Sequence, residues 1–172
     1  MKIAVCVKYV PDTTENRHFQ HDKTVDRVGV DGLLSELDEY AVEQALQIKE
    51  KAGSPDDVEV TVLCVGPEQA VDAVRKALQM GADNGVHVRD DAIAGSDAIA
   101  TSLVLAKALQ WGGGTEGGGM PYDLVMCGMA STDGAMGVVP AMLAERLSLP
   151  QLTLASKVET QVSRCGSSAT AT

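Results

Sequence analysis

The feature that leaves this chain fewest folds is a repeated alternation of short, continuous apolar runs with helix-length stretches. Ile3–Val7, Val58–Val65 (VEVTVLCV), Val86–Val88 and Leu124–Cys127 read as strands, and the unbroken apolar runs among them read as strands covered on both faces. Between the first two, Leu37, Tyr40, Ala41, Ala45 and Ile48 recur at helical spacing. Ser35 stands there as N-cap, Asp38 three residues on, and Gly53 at the far end. A second helix runs from Glu68 to Met80 between Gly66-Pro67 and Gly81. A third follows Gly95-Ser96-Asp97 to about Leu109, and a fourth covers Met142–Leu147. Strands and helices alternating so closely predict one α/β domain, three layers deep, around a parallel sheet. Leu152–Val158 is expected to add a fifth extended run.

Where such a sheet reverses its winding, a crevice opens beyond the strand ends. If the first three strands wind outward in the order 3-2-1 and the fourth lies beside the first, that reversal falls between strands one and four. Cys6–Lys8 and the residues from Gly128 onward then line it. The stretch Asp123–Pro140, DLVMCGMASTDGAMGVVP, has the matching order of strand, small-residue loop and helix start. Gly128, Gly134 and Gly137 permit close backbone approach and positive φ. The helix start after them offers unpaired N–H groups to a phosphate. A loop that merely turns the chain is also glycine-rich. Asp133 is read as structural, bonding backbone N–H groups of its own loop, because a carboxylate facing a phosphate repels it.

Composition narrows the function classes. With 172 residues, 45% of them hydrophobic, the chain buries a core, and 3% aromatics make that core one of Val, Leu, Ala and Met. A net charge of −10 disfavours nucleic acid and anionic membranes. Cys6, Cys64, Cys127 and Cys165 form no C-x-x-C pair, which argues against a zinc ribbon or a thioredoxin site and fits a reducing, cytoplasmic setting. No run approaches membrane-spanning length, and Met1–Lys8 lacks the length and cleavage site of a signal peptide. Ser131 has no G-x-S-x-G elbow and no histidine has a partner acid by spacing, so no catalytic residue and no metal ligand is assigned. Glu15–Gly32 reads as polar and irregular, with a small hairpin around Thr24–Val30 and solvated His18 and His21. Gly112–Gly119 reads as a surface loop.

Four segments in order, KIAVCVKYVPDT, LDEYAVEQALQIKE, VTVLCVGPEQAVDAVRKALQMGAD and STDGAMGVVPAMLAERLSLPQLT, resemble the β subunit of the electron transfer flavoprotein family, the FixA type included. The resemblance covers about Met1–Val158. It implies a Rossmann-like, adenine-nucleotide-binding α/β domain over 1–158 and a heterodimer with an α subunit. It further implies AMP in this subunit, FAD held mainly by the α subunit, and electron flow from acyl-CoA-type dehydrogenases, as in fatty acid oxidation, to a quinone oxidoreductase. The AMP contacts it implies fall on Cys6, on Ser35, Glu36, Leu37 and Asp38 at the first helix cap, on Val65, and on Ser131, Thr132, Asp133, Gly134, Ala135, Met136, Gly137, Val138, Val139, Pro140, Ala141 and Met142. The loop departs from the family pattern at Ala135, where a second acid is common, and at Val138, where Gln is. The occupant stays open between AMP, another adenine nucleotide and a second flavin. Residues 159–172 leave the family pattern and, being nearly without apolar content, are expected to be disordered. Family members continue past this length with segments that embrace the α subunit and dock partner dehydrogenases, so the chain reads as truncated. The competing reading is a stand-alone nucleotide-binding module similar to universal stress proteins. Against it stands Val138-Val139-Pro140, where those proteins usually carry Gly-Ser or Gly-Thr.

Overall fold

The computed structural model describes residues 1–111, 120–163 and 166–171, so the glycine-rich insert at 112–119 lies outside the described residues. The strands are β1 (Lys2–Val7), β2 (Tyr9–Pro11), β3 (Gly32–Leu34), β4 (Glu59–Val65), β5 (Asn84–Val88), β6 (Leu124–Cys127), β7 (Val158–Ser163) and β8 (Gly166–Ala171). The helices are α1 (Glu36–Glu50), α2 (Val71–Met80), α3 (Ala98–Trp111) and α4 (Val139–Leu147). The main sheet has the order β5-β4-β1-β6, all parallel, which is the expected 3-2-1-4 winding.

Side-chain alternation along β1 divides the interior in two. Ile3, Val5 and Val7 join Val60, Val62 and Cys64 of β4 on one face, under Ala41, Val42 and Ala45 of α1 and Ala73, Val74 and Ala77 of α2. Ala4 and Cys6 join Leu63 on the other, under Leu105, Ala106 and Leu109 of α3 and Leu143 of α4. Ile3, Val5, Val60 and Val62 are wholly buried, so the central strands carry unbroken apolar runs because both faces are covered.

Several local expectations change. α1 stops at Glu50, not at Gly53: Lys51 and Ala52 bond back to Gln47 and Lys49 and close its last turn. Glu68–Ala70 is a 3-10 turn that feeds α2, and α4 starts at Val139 with Pro140 in its first turn. Thr24–Val30 does not form a hairpin of its own. Tyr9–Pro11 instead pairs antiparallel with Gly32–Leu34, and the chain between them is a long strap with one isolated bridge, Phe19 to Val25. Three aspartates shape the strap by accepting from backbone N–H groups ahead of them: Asp12 from Thr14, Asp22 from Thr24, and Asp26 from Val28 and Gly29. Residues 152–157 are not a strand; Leu154 adopts φ 54, which breaks an extended run, and is 83% exposed. From Val158 onward, where low apolar content predicts no fixed structure, β7 and β8 form an antiparallel hairpin. Val158 anchors it, packing against the first core and donating its N–H to Gln44 Oε1 at 3.3 Å.

Candidate functional site

The ends of β1 and β6 meet the start of α1, and one carboxylate ties the three together. Asp38 Oδ2 accepts from the Lys8 backbone N–H at 2.8 Å, and the Gly128 N–H also donates to the carboxylate. The Lys8 carbonyl in turn accepts from the Ser35 N–H at 2.9 Å. Gly128 is required here by close approach: a Cβ would stand 2.2 Å from Asp38 Oδ1 and 2.9 Å from the Leu37 carbonyl oxygen. Asp38 is 6% exposed. Burial pushes its carboxyl up to about 7, against the pull of the two N–H groups and the Lys8 ammonium, and the nearby Asp133 charge adds to the rise.

Asp133 sits opposite, its side chain 1% exposed between two cations. Lys8 Nζ donates to Oδ1 at 2.9 Å, Arg27 Nη2 donates to Oδ2, and the Gly134 N–H closes onto Oδ1 at 2.6 Å. Burial alone would raise this carboxyl. Hydrogen bonds from Ser131, Lys8 and Arg27 outweigh it and hold Asp133 far below the usual carboxylate range. The expected bond to its own loop is present, together with Arg27, which sequence reading missed, and Lys8, which it set at the crevice without pairing it to Asp133. Arg17 adds a third, donating to the Thr132 carbonyl at 2.9 Å. The strap thus crosses the Ser131–Asp133 turn and is fastened by Arg17 and Arg27. Lys8 was findable, since it follows the first strand at the switch point. The arginines lie in irregular chain whose course no periodicity indicates.

Other assigned residues distribute unevenly. Cys6 is 8% exposed at the end of β1, next to Cys127 on β6, and Val65 is half-buried at the end of β4. Ser35 precedes α1 as expected, but its hydroxyl makes no capping bond. Ser35 Oγ and Thr132 Oγ1 are both buried without a hydrogen-bond partner among the described residues. Leu37 is half-buried and brings its carbonyl against Gly128. Glu36 is exposed and lines a groove of about 460 Å³ with Gly32, Leu33, Leu34, Glu39, Asp72 and Lys76. Gly134, Ala135, Met136 and Gly137 are exposed. Ala135 (φ 50) and Gly137 (φ 64) are both left-handed, the second as the sequence predicts. Val138, Val139 and Pro140 are half-buried, Ala141 is exposed, and Met142 donates its N–H to the Val138 carbonyl at 3.1 Å, opening α4.

These residues fit a nucleotide better than a metal. Two orphaned hydroxyls want hydrogen-bond partners, cations gather at the loop, and α4 begins where the loop ends. Among the described residues, no three His, Cys, Asp or Glu side chains are grouped to hold a metal ion. No described helix is long and apolar enough to cross a membrane.

Residues 22–172 match the model of the electron transfer flavoprotein domain. The chain is 51% identical over 159 residues to the electron transfer flavoprotein subunit beta of Mycobacterium tuberculosis (strain ATCC 25618 / H37Rv), covering 91% of this chain and 57% of that protein. It is 41% identical over 159 residues to the subunit of the same name from Thermoanaerobacterium thermosaccharolyticum, covering 92% and 56%. It is 40% identical over 158 residues to protein FixA of Sinorhizobium fredii, covering 92% and 53%. The chain thus spans little more than half the length of these curated relatives. A domain match over most of its residues, and this identity along nine-tenths of its length, establish that the chain belongs to the electron transfer flavoprotein family.

Proposed function

We propose that this chain is a β-type subunit of an electron transfer flavoprotein, with residues 1–158 as its nucleotide-binding domain. It holds AMP in the crevice between β1 and β6 and pairs with an α subunit that carries most of the FAD site. In the cytoplasm the pair carries electrons from acyl-CoA-type dehydrogenases toward a quinone oxidoreductase. FAD, when bound, supplies the redox chemistry. The residues of this chain bind and orient and carry out no bond-making step.

The observation that carries this reading is the convergence of Lys8, Asp38, Gly128 and Asp133 at the sheet's switch point, with Ser35 Oγ and Thr132 Oγ1 left unpaired beside it. Within it, Ser35 and Thr132 supply hydroxyls for the nucleoside. Lys8 and Arg27 supply positive charge for the phosphate, and the backbone of Gly134–Gly137 follows it. Asp133 holds those cations in place rather than meeting the anion. Denaturing the purified protein and identifying the released small molecule by mass and absorbance tests this directly. AMP is the expected product; a second flavin, or no nucleotide in protein purified without dialysis, overturns the assignment.

A further inference from the structure

Cys6 and Cys127 are register partners on neighbouring parallel strands. Alternation turns both toward α3 and α4, where Cys6 belongs to the second core and Cys127 packs at its margin. Cys64 faces the opposite core. Adjacent strands run about 4.8 Å apart, inside the roughly 4.4–6.8 Å Cα separation that a disulfide spans. Cys6 is 8% exposed and Cys127 half-buried, so a small oxidant reaches Cys127 first. A nucleotide contact at Cys6 would use strand backbone and leaves both sulfurs without a role.

We propose that Cys6 and Cys127 form a thiol modification site that hydrogen peroxide oxidises reversibly to a disulfide across the floor of the crevice. The Cys127 sulfur attacks a peroxide oxygen; the O–O bond breaks, Cys127 becomes a sulfenic acid, and the departing hydroxide takes the thiol proton and leaves as water. The Cys6 sulfur then attacks the sulfenic sulfur. The S–S bond forms, the S–O bond breaks, and the released hydroxide takes the Cys6 proton as a second water. Two thiols have lost two hydrogens and one peroxide has become two waters. The hydrogen bond to Cys127, with burial, pushes the Cys6 thiol up, which makes it the poorer first nucleophile and leaves the oxidation to begin at Cys127. Parallel strands hold the Cβ atoms near the strand spacing, wider than the ~3.8 Å typical of disulfides, so a thiol reductant reopens the bond. This inference stands on the sheet register and is independent of the nucleotide reading.

The test treats the purified folded chain with hydrogen peroxide, removes the oxidant, blocks free thiols with iodoacetamide in denaturant, and maps the peptides by mass. The expected result is a Cys6 peptide linked to the Cys127 peptide, two hydrogens lighter than the sum, and released by dithiothreitol. Cys127→Ser should abolish the link and leave Cys6 fully alkylated. Cys6→Ala should leave a Cys127 sulfenic acid that dimedone traps, in protein whose circular dichroism matches the parent. Linkage through Cys64 or Cys165 instead, Cys6 alkylated equally with and without peroxide, or Cys127 passing to sulfinic acid in the unaltered chain overturns the proposal.

Discussion

Asp38 gives the molecule its own pH response. Burial lifts its carboxyl to about 7 in the folded chain, against about 3.9 in an unfolded one. The folded state therefore holds this proton more tightly. The stability Asp38 contributes is fully present below about pH 4 and is lost as pH rises through about 7. Denaturant midpoints should fall over that window, and Asp38→Asn should flatten the fall while keeping an acceptor for the Lys8 and Gly128 N–H groups. Asp133 has the opposite sign: its carboxyl is depressed, so its contribution is present above the usual carboxylate range and is lost only in strong acid. Asp133→Asn should retain more nucleotide than Asp133→Leu, measured as nucleotide released per mole of protein. Equal retention in all three forms would show an idle side chain. Gly128→Ala forces a Cβ against the Leu37 carbonyl, which cannot swing aside as a side chain does. A loss of roughly 1–3 kcal/mol is expected, read as a lowered thermal midpoint.

At the scale of elements, the strap between β2 and β3 is the part most open to perturbation. Arg17 and Arg27 fasten it across the Ser131–Asp133 turn. Removing both as Arg17→Gln and Arg27→Gln should cost little global stability, ~1 kcal/mol, because both arginines reach solvent and Lys8 keeps the buried Asp133 carboxylate paired. It should, however, speed limited proteolysis within the strap, read by the mass of the fragments. The strap is also where the sequence was least legible. Helices and central strands announce themselves through period and unbroken apolar content, so α1 to α4, β1, β4, β5 and β6 fall within a few residues of their expected places. The strap is set by aspartate turns, one long-range ion pair and one arginine-to-carbonyl hydrogen bond, none of which leaves a periodic trace. The β7–β8 hairpin was missed because the sequence from Thr160 onward holds few apolar residues, so its backbone pairing leaves no hydrophobic pattern to read. Leu152 and Leu154 misled for the converse reason: apolar residues suggested a strand, yet both remain exposed.

For the whole molecule, the place of the candidate site was legible before its contacts were. The expected strand order set β1 beside β6, and the ends of those strands meet Asp38 at the start of α1. What the sequence could not indicate was that Asp38 belongs to the backbone of both strands and that Lys8 and Arg27 share Asp133, since such pairings depend on the folded course of separate segments. An adenine nucleotide bound in the crevice should raise the thermal midpoint with concentration, because only the folded state presents the strand ends together.

The sheet order also fixes a timetable. β1 precedes both of its neighbours in the chain, yet it lies between them in the sheet, and those neighbours are Glu59–Val65 and Leu124–Cys127. Ile3 pairs with Val60 on one side and with Leu124 on the other, so the second seam closes a loop about twice as long as the first. Longer closure costs more entropy and slows folding. A nascent chain therefore joins β1 to β4 early and carries β1's other edge bare until β6 arrives, a window in which chaperones or stray strands compete for it. Pulse-labelled hydrogen exchange during refolding should find amides of the β1–β4 seam protected before those of β6; simultaneous protection would mean that the two seams close in one concerted step.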